Sequence, residues 1–84
     1  MKVYKFMASW CQPCKTLTQR LAQRGLVLPE FDIDNPDVKP LLERFGVRSV
    51  PTIVVEETDG TYKAITGAML TQDTVEILKA YSAG

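Results

Sequence analysis

The sequence predicts an α/β domain in the order β-α-β-α-β-β-α, with one four-stranded mixed sheet and three helices. Three observations carry this. Short apolar runs alternate with segments of helical periodicity. Two of those runs flank a helix of the length that joins parallel strands. Asp59-Gly60 then separates two strand-like segments as a hairpin turn does. Residues 1–84 read as a single small domain, since a chain of 84 residues supports one core.

Val3–Met7 is the first strand. It is apolar on both faces apart from Lys5, the pattern of a central strand covered on each side. From Cys11 to Arg24 the periodicity is helical: Cys14, Leu17 and Leu21 share a face, and Lys15, Gln19 and Gln23 point outward. Gly25 supplies the stop. Leu26–Ile33 reads as a second strand, and Pro29, with no N–H for a ladder, assigns it to a sheet edge. Asp34-Asn35-Pro36-Asp37 is turn chemistry. A second helix ends at Phe45 with Gly46 as its stop; Pro40 fits only in its first turn, and Leu41, Leu42 and Phe45 form its buried face. Ile53-Val54-Val55 is the third strand, returning through Asp59-Gly60 to Thr61–Ile65. Thr66-Gly67-Ala68 is a loop. Thr71 caps a last helix, with Asp73 in its first turn and Val75, Leu78 and Tyr81 on its inner face.

Ten basic and ten acidic residues leave a formal net charge of zero, and no basic run offers a footprint to nucleic acid or an anionic membrane. No apolar stretch approaches the roughly 20 residues that span a bilayer. Met1–Phe6 lacks the apolar segment of a secretory leader. Taken as a whole gene product, the chain is expected in the cytoplasm, as a monomer. Thiols there are kept reduced, so a close cysteine pair points to redox or metal chemistry rather than to a structural bridge.

That pair is Cys11 and Cys14, the two cysteines of the chain, in Trp10-Cys11-Gln12-Pro13-Cys14-Lys15. Their spacing puts both sulfurs on the first helical turn, where they can join in a small ring. Unpaired backbone N–H groups and the helix dipole favour a thiolate at Cys11. Cys14, on the face of Leu17, is shielded and less acidic. The labour divides accordingly: Cys11 is an exposed nucleophile that attacks a substrate disulfide, and Cys14 resolves the mixed disulfide. Two other readings compete. Zinc needs four ligands, usually Cys or His, and with two Cys and no His only a site shared between two chains stays open. An inert structural disulfide is the second, although so short a loop removes little unfolded-state entropy. Pro13 fits the second position of a new helix, either as a helix-start residue or as a tuner of the redox chemistry. Trp10 reads as contact surface beside the nucleophile, with core packing as the alternative.

Three segments resemble the thioredoxin family, in its order and at compatible distances. They are Phe6-Met7-Ala8-Ser9-Trp10-Cys11-Gln12-Pro13-Cys14-Lys15, Phe45-Gly46-Val47-Arg48-Ser49-Val50-Pro51-Thr52 and Thr66-Gly67-Ala68. With the element order, the resemblance covers essentially the whole chain. It implies the thioredoxin fold in a minimal form, one shared with glutaredoxins and with small thioredoxins of phages and archaea. It also implies a cis Val50-Pro51 bond facing the cysteines, and a backbone before that proline that pairs with a substrate strand. Gly67 would line the same groove, a plain turn glycine being the alternative. Trp10, Gln12, Pro13, Val50, Pro51 and Gly67 then make up the substrate-binding surface.

There are departures from the family. Typical members carry an additional strand and helix before the central strand. Gln12 stands where they usually have glycine, which bears on redox potential or partner choice. Lys5 stands where they usually have a buried aspartate that helps deprotonate the resolving cysteine, so that role does not transfer. Lys5 either modulates the thiol pKa values, by charge or as a base, or snorkels to water. The segment from Pro36 to Gly46 is a few residues longer than usual.

The resemblance implies a thioredoxin-type protein disulfide reductase that needs no bound cofactor. Electrons would come from NADPH through a flavin-containing (FAD) thioredoxin reductase and pass to clients such as ribonucleotide reductase. One alternative is a glutaredoxin-like electron donor, recycled by glutathione or by thioredoxin reductase. The missing Gly-Gly after the proline loop and the missing Tyr within the pair stand against it. Another is a non-catalytic thioredoxin-fold binding subunit, against which the intact cysteines stand. The missing leader stands against an oxidase or isomerase.

Overall fold

The computed structural model describes residues 2–67 and the helical backbone of 72–83, with the side chains of 74–80. The elements are β1 (Lys2–Met7), α1 (Gln12–Gln23), β2 (Glu30–Asp32), a 3-10 turn (Pro36–Val38), α2 (Lys39–Phe45), β3 (Thr52–Glu56), β4 (Tyr62–Thr66) and α3 (Gln72–Ala83). They form one sheet in the order β2-β1-β3-β4. β1 runs parallel to β2 and antiparallel to β3, and β3 runs antiparallel to β4. The predicted element order and mixed sheet are both present. Ala68, Thr71 and the side chains of Asp73 and Tyr81, to which the sequence assigns a loop, a cap, a first turn and an inner face, lie outside the described residues.

The helices stop where their glycines require. After α1, Gly25 takes φ 71°, its N–H reaches Ala22 O at 3.0 Å, and Leu26 N–H reaches Leu21 O at 2.9 Å. After α2, Gly46 at φ 63° does the same, with Val47 N–H bonded to Leu42 O at 2.9 Å. In each case a left-handed residue lets the chain satisfy the last helical carbonyls. Pro40 is in the first turn of α2, as its missing N–H demands.

β2 is shorter than the predicted Leu26–Ile33. Leu26 closes α1, and Leu26 and Leu28 turn into the core while Val27 is 88% exposed. Pro29 offers only its carbonyl, which accepts Lys5 N–H at 3.0 Å. Ladder pairing is confined to Glu30–Asp32, on the sheet edge as Pro29 implied. The hairpin also differs from a two-residue Asp-Gly turn, which needs two residues of positive φ. Among the described residues no residue other than glycine has positive φ, so the loop is longer. Gly60, at φ 91°, bonds back to Glu57 O, and Glu57 N–H closes on Thr61 O at 2.8 Å.

Alternation along the strands divides the core. Val3, Ile53 and Val55 pack with Leu17 and Leu21 of α1 and Leu78 of α3. Phe6 and Val54 pack with Val38 and Phe45 on the face covered by α2. The C-terminal end of β1, at the middle of the sheet, delivers the chain to Cys11. Among the described residues no helix is long and apolar enough to cross a membrane.

Candidate functional site: a disulfide at a helix N-terminus

Cys11 is the N-cap of α1, in extended conformation, with Gln12 and Pro13 as the first two helical residues. Pro13 costs nothing there, because an N–H at that position has no intrahelical partner. Cys11 and Cys14 are joined as a disulfide with their Cα atoms 5.3 Å apart. Cys11 Sγ also accepts the Cys14 backbone N–H at 3.1 Å, in the place where a Ser or Asp side chain would cap a helix.

The structure corrects one expectation. Cys11, read from the sequence as an exposed nucleophile, is 3% exposed in the disulfide form, against 1% for Cys14. The ring lies against Ala8, with Met7, Ile33 and Val50 packed around it. Exposure therefore does not separate the two sulfurs. What separates them is position: Cys11 alone receives a helix N–H, and Cys14 lies one turn deeper on the face of Leu17.

Of the remaining predicted residues, Trp10, Gln12 and Pro13 adjoin the cysteines in sequence, Val50 touches the disulfide cluster, and Gly67 is bonded to Pro51. Trp10 is 65% exposed, and its indole Nε1–H donates to Asp34 Oδ2 at 2.9 Å. Asp34 is in turn oriented by its own N–H, which donates to Asp32 Oδ1 at 2.9 Å. Gln12 and Pro13 are exposed on the first turn. The Val50-Pro51 bond is cis. Pro51 is buried, while Val50 is half-buried and touches the disulfide cluster. Thr52 Oγ1 donates to Ser49 O at 2.8 Å, which pins the turn. Gly67 is exposed, with φ 90°, and donates its N–H to Pro51 O at 3.0 Å. A Cβ at Gly67 would meet no atom of the protein within 4 Å, so backbone conformation rather than internal crowding calls for glycine.

Lys5 does not snorkel to water. It is 2% exposed, and its Nζ donates to Thr18 Oγ1 and lies 3.5 Å from Glu30 Oε2. The reason is register. Lys5 points to the α1 face, where it meets Thr18 one turn beyond Cys14, and parallel pairing sets Glu30 beside it. Thr18, Glu30 and Asp34 are the site neighbours that sequence reasoning missed. The pairing of β1 with β2 was the available signal, because it brings Glu30 level with Lys5 and carries the chain to Asp34 beside Trp10. Among the described residues no cluster of His, Cys, Asp and Glu is arranged to hold a metal ion.

A four-stranded mixed sheet with a disulfide on the first turn of the helix that follows a central strand, packed against the residue before a cis-proline, defines the thioredoxin-fold class. The family model described as Thioredoxin matches residues 1–80. Thioredoxin-1 of Drosophila yakuba is 33% identical, over 93% of this chain and 79% of that protein. Thioredoxin H-type of Fagopyrum esculentum is 30% identical, over 79% of this chain and 60% of that protein. Against chloroplastic thioredoxin F1 of Arabidopsis thaliana the match spans only 39% of the relative. Among solved structures, chloroplastic thioredoxin z superposes with a TM-score of 0.68 and 26% identity, over 98% of this chain and 78% of that chain. The oxidised C-terminal domain of Neisseria meningitidis DsbD, 22% identical, shares the fold with a TM-score of 0.69 over 94% of this chain and 78% of its own. The chain belongs to the thioredoxin family.

Proposed function

We propose that this chain is a thiol–disulfide oxidoreductase of thioredoxin type, a protein disulfide reductase that cycles Cys11 and Cys14 between dithiol and disulfide. The observation that carries the reading is the disulfide at the N-terminus of α1, with the Cys14 N–H directed at Cys11 Sγ. In the reduced protein the same N–H and the positive helix end stabilise a Cys11 thiolate. That thiolate attacks one sulfur of a client disulfide. A Cys11–client bond forms, the client S–S bond breaks, and the other client sulfur leaves with the electron pair and takes up a proton. Cys14, as thiolate, then attacks Cys11 Sγ. The Cys11–Cys14 bond forms, the mixed disulfide breaks, and the client leaves as a dithiol, reduced by two electrons.

Trp10, Gln12, Pro13, Val50, Pro51 and Gly67 form the docking surface in this reading. A client strand lies along the backbone before Pro51 by β-addition. The tie from Trp10 to Asp34 supports the assignment, because it holds a large exposed aromatic beside the ring. Electrons arrive from NADPH through a flavin-containing thioredoxin reductase, and cytoplasmic enzymes that cycle through a disulfide, such as ribonucleotide reductase, are the clients.

Insulin reduction, run in parallel with each electron donor, tests this. The expected result is NADPH-dependent turnover through thioredoxin reductase, abolished in Cys11→Ser. Turnover with glutathione and no insulin reduction would move the assignment to a glutaredoxin-like carrier. Cys14→Ser is expected to trap clients on Cys11, and trapping by Cys11→Ser instead would reverse the two roles.

A further inference from the structure

Lys5 is a fully buried side chain for which the exchange chemistry above has no use. Burying an ammonium is expensive unless it is paired and hydrogen-bonded. Here it has both kinds of partner, Thr18 Oγ1 and the Glu30 carboxylate. Their arrangement relative to the disulfide is specific. The Thr18 hydroxyl that accepts from Lys5 donates in turn to the Cys14 carbonyl oxygen at 3.0 Å. The cation is thus two hydrogen bonds from the backbone of the resolving cysteine, beneath the first turns of α1.

Few other charges compete with it. On β3, opposite this part of β1, Thr52 and Ile53 carry none. Lys15 on α1 and Arg48 before Pro51 are exposed, as are Glu76 and Lys79 on α3. Asp34 accepts from Trp10 and, through its N–H, is bonded to Asp32. Glu30 is the counter-charge, and its side chain is 46% exposed, so solvent screens it more than it screens Lys5.

We propose that Lys5 is a positioning residue for the resolving step: its ammonium, held under α1 by Thr18 and Glu30, stabilises the thiolate that Cys14 must form. The proposal rests on the disulfide-reductase reading of the cysteine pair. It assigns opposite effects to the two partners. Lys5 promotes the Cys14 thiolate, and Glu30 restrains it by neutralising part of the field. A purely structural ion pair has no such sign, because losing either partner would disturb the site in the same sense.

The test is a titration of both cysteines in the reduced protein by carbon NMR, with stopped-flow resolution of a mixed disulfide on Cys11. Lys5→Met is expected to raise the Cys14 titration midpoint by about one pH unit and to slow resolution about tenfold at neutral pH, since one unit is a tenfold change in the thiolate ratio. Glu30→Gln is expected to lower the same midpoint. A Cys14 midpoint that stays put or falls in Lys5→Met overturns the proposal. If Lys5→Met does not fold, Glu30→Gln, at a half-exposed position, decides alone: a lowered midpoint supports the proposal, and an unchanged or raised one overturns it. The reductase reading fails separately, if unaltered protein reduced with dithiothreitol does not accelerate insulin reduction.

Discussion

On the face of the sheet covered by α2, the rings of Tyr4, Phe6, Phe31, Phe45 and Tyr62 meet with centroids 5.0 to 6.5 Å apart. On the face covered by α1 and α3 the core is aliphatic, and Lys5 is buried beside it. Each face also has an acid–base pair, but at opposite ends of β1. On the aromatic face Glu56 accepts from Tyr4 Oη at 3.2 Å and pairs with Arg44, whose guanidinium lies 4.9 Å over the Phe45 ring. That pair is at the rim, with Arg44 55% exposed. On the aliphatic face the cation itself is buried, and Thr18 links it by two hydrogen bonds to the Cys14 carbonyl. The difference teaches that one sheet can keep a charge half in solvent at its rim and bury another completely when both an ion-pair and a hydrogen-bond partner are supplied. The rim pair finishes off an aromatic core and keeps its arginine half-exposed, whereas the cation on the other face is fully buried and is tied through Thr18 to the first turns of α1.

The largest break in this comparison comes from the aromatic side. Phe6 is fully buried, and Phe6→Ala is expected to destabilise by about 3–5 kcal/mol, read as a lowered urea midpoint. A loss below about 1 kcal/mol would mean that the aromatic cluster repacks and is not the firmer of the two cores.

Leu17→Ala, on the aliphatic face, is expected to cost about 2–5 kcal/mol by the same measurement. Because Leu17 follows Cys14 by one turn, it should also speed alkylation of Cys14 in the reduced protein, an effect Phe6→Ala should lack.

The rim pair gives a smaller, pH-dependent effect. Burial first, and then the Glu56 carboxylate, hold the Tyr4 phenol above its ordinary value. The folded state therefore keeps this proton at a pH where the unfolded chain has lost it. The resulting stability is present below the ordinary phenol value and is lost as pH rises through the raised one. Glu56→Gln is expected to bring the Tyr4 titration back toward normal, followed by phenolate absorbance. A titration that does not move would assign the shift to burial alone.

Smallest of all is Asp59 in the β3–β4 turn, whose carboxylate accepts the N–H and the hydroxyl of Thr61 and titrates below its ordinary value for that reason. Its contribution is present above the ordinary carboxylate value and fades as pH falls through the lowered one. Asp59→Asn should flatten the acid limb of the stability curve slightly and leave both faces of the sheet untouched.

The order of elements was legible because each is local. The 3-4 spacing of Cys14, Leu17 and Leu21, the stops at Gly25 and Gly46, and Pro40 in a first turn depend on neighbours within one or two turns. The short β2 was not legible, because Leu26 has two uses, as a strand residue by composition and as the closure of α1 by hydrogen bonding, and the second prevails. The cysteine pair was legible from its spacing at a helix start, and the cis bond as an implication of the family's pattern. The burial of Cys11 was not, since it depends on Ile33 and Val50 arriving from distant segments. Nor was the fate of Lys5. Its partners, Thr18 and Glu30, are 13 and 25 positions away, and only the parallel pairing of β1 with β2 brings Glu30 level with it.

The backbone bond from Gly67 to Pro51 fastens the end of β4 to the loop that presents Val50. The entropy of fixing that loop, of the order of 1–2 kcal/mol per residue, is therefore met once, during folding, and not again at each encounter. On the docking reading proposed above, a client laid along Val50 would give up only its own freedom. On that reading the lifetime of the encounter would follow the stiffness of the client, and clients whose disulfide lies in an already extended segment would dwell longest.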